Sequence, residues 1–86
     1  MLVDEIKKVI EKAVPQSTVY ILDPNGDGQH FEAIVISPIF EEMILVKQHQ
    51  MVMTALKDAF AQSVHALKLK TFTLQKWLET KDQYNL

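Results

Sequence analysis

Ser17–Ser37, STVYILDPNGDGQHFEAIVIS, is the stretch whose reading decides the fold. Its first seven residues are rich in β-branched and aromatic side chains, the composition of a strand. In DPNGDG, Pro24, Asn25-Gly26 and Asp27-Gly28 form a dense turn signal, with glycine supplying positive φ. QHFEAIVIS then reads as a second strand, antiparallel to the first, and Ser37-Pro38 break it. On that strand Phe31, Ala33 and Val35 share one face, while His30, Glu32, Ile34 and Ile36 share the other. His30 therefore stands between a turn and a strand, where it either packs or holds something. The residues alone leave both roles open. The chain has only three histidines (His30, His49 and His65) and no cysteine, so the choice bears on function.

Working outward, Leu2, Ile6, Val9, Ile10 and Ala13 recur at helical spacing, with Glu5, Lys7, Lys8, Glu11 and Lys12 on the other side. Pro15 ends that helix, because the residue before proline avoids the helical region. After Pro38 the sequence predicts a short helical turn around Ile39–Met43, then the longest helix from Ile44 to about Gln62. Its apolar face is Ile44, Met51, Val52, Ala55, Leu56, Ala59 and Phe60, with His49 at the edge of the arc. Lys47, Gln50, Thr54, Lys57 and Asp58 lie opposite. VHALKLKTF alternates as a third strand, with His65, Leu67 and Leu69 on one face and Ala66, Lys68 and Lys70 on the other. Thr73 suits the N-cap of a last helix that carries Leu74, Trp77 and Leu78 on one side. The tail KDQYNL reads as frayed from about residue 81.

The order is α-β-β-α-α-β-α, an α/β (α+β) chain. The economical arrangement is a three-stranded sheet with helices packed on one face. The long helix joins the second and third strands, so these are expected to be parallel with a right-handed crossover. At 86 residues without an internal repeat or linker, the chain reads as one domain over residues 1–86.

Composition excludes several function classes. With no cysteine there is no disulfide framework and no self-contained thiolate metal site, which fits a cytoplasmic protein. The charged start MLVDEIKKVIEKAV lacks the apolar region of a signal peptide, and no apolar run approaches the roughly 18 residues that span a bilayer. A net charge of −2 gives no general attraction to nucleic acid. Nucleophile-elbow, P-loop and dinucleotide motifs are missing, and Glu41-Glu42 reads as a solvated helix start, where carboxylates are favoured. With no nucleophile–base–orienter set, the chain reads as a non-enzyme. His30 and His65 would approach each other if their strands are neighbours, but two imidazoles are too few to close a metal site.

Taken in order, Asp27-Gly28-Gln29-His30-Phe31, Phe40-Glu41, His65-Ala66-Leu67 and Thr73 with Trp77 form a set at characteristic spacings. Through these segments, over about residues 2–80, the chain resembles the BolA family, and within it the short IbaG-type bacterial branch. The resemblance implies a class II KH-like fold of the order read above. It also implies binding to a monothiol glutaredoxin, with a [2Fe–2S] cluster shared between the two proteins. The glutaredoxin gives one cysteine and a bound glutathione gives a second thiolate. The histidine of the His-Ala-Leu strand, here His65, is a ligand from this side, and a second ligand comes from the loop between the first two strands. Two imidazoles on one iron are a Rieske-like pattern that raises the reduction potential. Such a complex acts in iron–sulfur cluster trafficking or iron homeostasis.

The chain departs from the family pattern in places. Relatives with a loop ligand carry Cys or His inside the turn, and here Asp27 stands roughly there. His30 is the histidine near that loop and becomes the substitute ligand, with packing near His65 as its other role. Glu42 replaces the glycine after Phe-Glu, the segment Lys47-Gln48-His49-Gln50 carries less charge than in many relatives, and Leu74 stands in place of proline. The alternative function is that of a DNA- or RNA-binding regulator using the KH-like fold, with Lys47, Lys68, Lys70 and Lys76 as the contacts. Against it, the Gly-x-x-Gly clamp of KH domains is missing, and Lys68 with Lys70 also reads as a solvated sheet face. A third reading is a docking module without iron, with Met43, Met51 and Met53 as an adaptable surface; Met51 reads as core and Met53 as the surface candidate. Association of two copies is left open.

Overall fold

The computed structural model describes residues 2–26, 30–60 and 67–84. Helix α1 (Leu2–Ala13) leads into strand β1 (Thr18–Leu22), which pairs antiparallel with β2 (Phe31–Ile36), Val19 opposite Val35 and Ile21 opposite Ala33. A 3₁₀ turn over Pro38–Glu42 precedes helix α2 (Leu45–Phe60). Strand β3 (Leu67–Phe72) follows, and then helix α3 (Leu74–Thr80) with a closing 3₁₀ turn (Lys81–Gln83). β3 lies beside β2 and parallel to it, with Phe31 opposite Leu67 and Ile36 opposite Phe72, so the sheet order is β1-β2-β3. The class is α+β, with the parallel crossover expected from the long helix.

The central strand carries the core. Ala33, Ile34, Val35 and Ile36 are all buried, so both faces of β2 are covered. On one face, Phe31, Ala33, Val35 and Val19 pack against Ile6, Ile10 and Val14 of α1 and its C-terminal extension, and against Val52 and Leu56 of α2. Burying such side chains contributes roughly 1.5–3 kcal/mol each. The other face is where the structure departs from expectation, since α3 covers it rather than joining α1 and α2. Trp77 of α3 stacks on Tyr20 with centroids 5.8 Å apart and meets Phe72 at 5.4 Å. Tyr20 and Phe72 share the parity of Ile34 and Ile36, whose apolar side chains need a cover that α1 and α2 cannot reach.

Other expectations also change. Ile44 and Ala59 belong to the apolar arc of α2 by spacing yet are exposed, because they lie at the two ends of the helix, beyond the middle where Gln48, Val52 and Leu56 are buried. Leu74 and Leu78 are exposed as well, whereas Trp77 of that stripe is half-buried against Tyr20 and Phe72. Met51 and Met53 are both half-buried and pack against the core, so they do not divide into one core and one surface residue. The tail does not fray at residue 81: the turn continues to Gln83, and Tyr84 packs on Trp77 at 5.7 Å and edge-on to Phe72 at 6.5 Å.

Polar side chains tie the elements at fixed points. Ser37, fully buried, donates its hydroxyl to the Pro15 carbonyl (2.7 Å) and accepts from the Ile39 N–H (3.3 Å). Its own N–H donates to the Phe72 carbonyl, which extends the β2–β3 ladder. Thr73 caps α3 as expected, its hydroxyl accepting from the Lys76 N–H at 3.2 Å.

Candidate functional site

At the end of the sheet where β2 and β3 begin, an open groove of about 580 Å³ is lined by Pro24, His30, Phe31, Glu32, Leu67 and Lys68. Three local features build it. The Gly26 N–H donates to the Asp23 carbonyl (3.1 Å), closing a turn with Pro24 at its second position and Gly26 at φ +64°. Pro24 is thereby set at the groove's edge. His30 is exposed one residue before β2 begins, and Phe31, which pairs with Leu67, forms an apolar wall. The ends of two parallel strands thus present an imidazole, a carboxylate and an ammonium around an apolar floor.

Of the two histidines expected at a metal site, His30 lines this groove. His65 lies outside the described residues, as do Asp27 and Gly28; in the sequence it stands two residues before Leu67. Among the described residues no three His, Asp or Glu side chains gather to enclose a metal ion. A cluster at this groove would therefore need further ligands from a second molecule, and an exposed imidazole at an open rim has the donor chemistry for that role.

The four lysines of the nucleic-acid reading do not form one face. Lys68 lines the His30 groove. Lys47 sits on the polar side of α2, and Lys76 lines a separate groove with Phe40 and Thr71 at the far end of the sheet. Lys70 is already engaged: its ammonium donates to the Tyr84 hydroxyl (3.0 Å), pairs with Glu32 (3.3 Å) and lies 5.2 Å from the Tyr84 ring centre. The Tyr84 hydrogen bond first, then the Glu32 carboxylate, hold its pKa above the usual lysine value. Among the described residues, Lys68 is the one of the two β3 lysines without an ion pair.

One buried polar cluster was not foreseen, and its role is structural. Gln48 is buried, and its amide donates to the carbonyls of Phe40 (3.1 Å) and Met43 (2.8 Å) while its oxygen accepts from the Thr71 hydroxyl (2.6 Å). It knots the 3₁₀ turn, α2 and β3 together. The signal was present in the spacing, since Gln48, Val52 and Leu56 recur every four residues on one helix face.

Comparison with known proteins agrees with this architecture. Residues 5–76 match the family model described as BolA-like protein. The chain is 32% identical over 75 residues to the acid stress protein IbaG of Escherichia coli, covering 86% of each chain. It is 30% identical over 82 residues to the DNA-binding transcriptional regulator BolA of Vibrio cholerae, covering 95% of this chain and 76% of that one. Among solved structures, a bolA protein homologue from Coxiella burnetii superposes with a TM-score of 0.69 at 37% identity, over 87% of this chain and 94% of the other.

Proposed function

The chain belongs to the BolA-like protein family, and from that premise we propose that it is an adaptor that binds a monothiol glutaredoxin and shares a [2Fe–2S] cluster with it. In this reading His65 and His30 are its ligands, and the partner's cysteine and glutathione complete the set. The observation that carries the reading is the groove at the start of β2 and β3, where His30 stands at an open apolar wall of Phe31 and Leu67. Bound there, the cluster would supply a one-electron centre whose potential imidazole ligation raises relative to all-thiolate ligation. The chain's own contribution is positional. The Asp23–Gly26 turn and the β2–β3 register fix where the imidazole stands, and Phe31 and Leu67 offer apolar contact to the incoming protein.

The role is that of a protein-binding adaptor, not an enzyme, in the cytoplasm, in cluster trafficking or iron homeostasis. DNA or RNA binding is the second reading. It is favoured by the regulator names of relatives such as the Vibrio protein and opposed by the dispersal of Lys47, Lys68 and Lys76 and the engagement of Lys70. The two separate in one experiment. Titration calorimetry against a monothiol glutaredoxin, beside fluorescence anisotropy against duplex DNA at two salt concentrations, should give saturable binding to the protein. DNA binding, if any, should be weak and fall steeply with salt. Tight, sequence-dependent DNA binding without glutaredoxin binding would reverse the assignment.

A further inference from the structure

At the end of the sheet opposite the His30 groove, the surface is apolar over an unusual extent. Ile44, Leu45 and Val46 are 68%, 59% and 60% exposed, three consecutive large aliphatic side chains at the start of α2. Single exposed apolar residues are ordinary, but a contiguous set beside a concavity marks an interaction surface. The concavity is a groove of about 410 Å³, with Phe40, Met43 and Phe72 in its floor and the exposed Glu41 and Lys76 on its lips; Leu45 also lines it. Leu45, exposed and part of the groove's lining, therefore stands as a knob beside an apolar hole, with Ile44 and Val46 flanking it in the chain. That is the requirement for self-complementarity under a two-fold axis, where each copy's knob enters the other's hole. The charges agree. Neither Glu41 nor Lys76 is in an ion pair with another described residue, and a two-fold axis passing between the two lips would bring Glu41 of each copy to Lys76 of the other.

We propose that this face is the contact through which two copies of the chain associate as a weak symmetric dimer. Resting on a small aliphatic knob and two exposed ion pairs, the contact is a weak one, with dissociation expected on the order of 100 µM. β2 and β3 are parallel, so Phe31 and Leu67 lie at one end of the sheet and Ile36 and Phe72 at the other, five residues or about 16 Å away. The dimer therefore leaves both His30 grooves open. This proposal does not depend on iron or on glutaredoxin.

Sedimentation equilibrium of the full chain from about 10 µM to about 1 mM tests it. The mass should rise from 9.9 kDa toward twice that value. Glu41→Lys and Lys76→Glu each place like charges in both contacts of the homodimer and should weaken it about tenfold. An equimolar mixture of the two variants should recover wild-type affinity, because every contact of the mixed dimer then pairs a lysine with a glutamate. Leu45→Glu should abolish the dimer. All three sites are exposed, and circular dichroism with thermal unfolding verifies that each variant folds. A mass of 9.9 kDa throughout the range, a dimer indifferent to all three substitutions, or no recovery in the mixture would each overturn the proposal.

Discussion

Replacing Gln48 by alanine should be among the most damaging single polar substitutions in this chain. The side chain is 8% exposed and makes three hydrogen bonds, to the Phe40 carbonyl, the Met43 carbonyl and the Thr71 hydroxyl. A net hydrogen bond is worth about 0.5–1.5 kcal/mol, and orphaned buried partners raise the cost, so Gln48→Ala should lose about 2–4 kcal/mol. Against the roughly 5–15 kcal/mol available to a small domain, that is a large share. The melting temperature should fall by about 8–30 °C, at about 4–8 °C per kcal/mol. Urea unfolding followed by far-UV circular dichroism measures the loss. Gln48→Met keeps the volume and removes the bonds, so it separates packing from polarity. Adding Thr71→Val to Gln48→Met removes one of the orphaned groups and should cost less than the same change in the wild type, by about 1 kcal/mol. A Gln48→Ala loss below about 0.5 kcal/mol, or strict additivity of the pair, would refute the buried knot as a stabilising element.

Other outcomes follow from particular residues. Gln16 holds φ at +57°, where β-branched side chains are strained; Gln16→Val should lose about 1–2 kcal/mol although the residue is exposed, while Gln16→Asn should not, and equal urea midpoints for the two would contradict this. Thr73→Ala removes the cap of α3 and should cost about 0.5–2 kcal/mol, with the fluorescence of Trp77, the sole tryptophan, reporting the loosened helix. Lys70 has a folded pKa above its unfolded value, so its small contribution is complete below about pH 10 and declines as pH rises through the folded value. The stability gap between wild type and Lys70→Met should therefore be constant from pH 6 to 9 and narrow by pH 11; a gap that widens with alkalinity would show the sign to be wrong.

Much of this architecture is legible in the sequence because it follows from period and punctuation. The four-residue recurrence of Ile6, Ile10 and Val14, the Asp23–Gly26 turn and the Thr73 cap are local rules acting through local geometry. What the period does not carry is which element covers a face. Ile34 and Ile36 share a strand face with His30 and Glu32 by period, and they are buried on the side where Trp77 stacks on Tyr20. Ile44 and Ala59 fall on the apolar arc but lie at the ends of α2. Gln48 was hidden by its polarity, since burial of an amide becomes sensible only once the carbonyls of Phe40 and Met43 and the hydroxyl of Thr71 converge on it. At the candidate site, the position of His30 on the groove is set by the hairpin, whereas the engagement of Lys70 depends on Tyr84, fourteen residues away in the chain.

The central claim is that this chain gives imidazole ligands to a cluster shared with glutaredoxin. Its most direct test is anaerobic mixing with a [2Fe–2S]-loaded monothiol glutaredoxin and glutathione, followed by visible circular dichroism of wild type, His65→Ala and His30→Ala. The account predicts a new spectrum for wild type that is lost in both variants while their far-UV spectra and thermal unfolding stay intact. Complex formation on size exclusion with an unchanged visible spectrum, or a new spectrum that survives both substitutions, would contradict it.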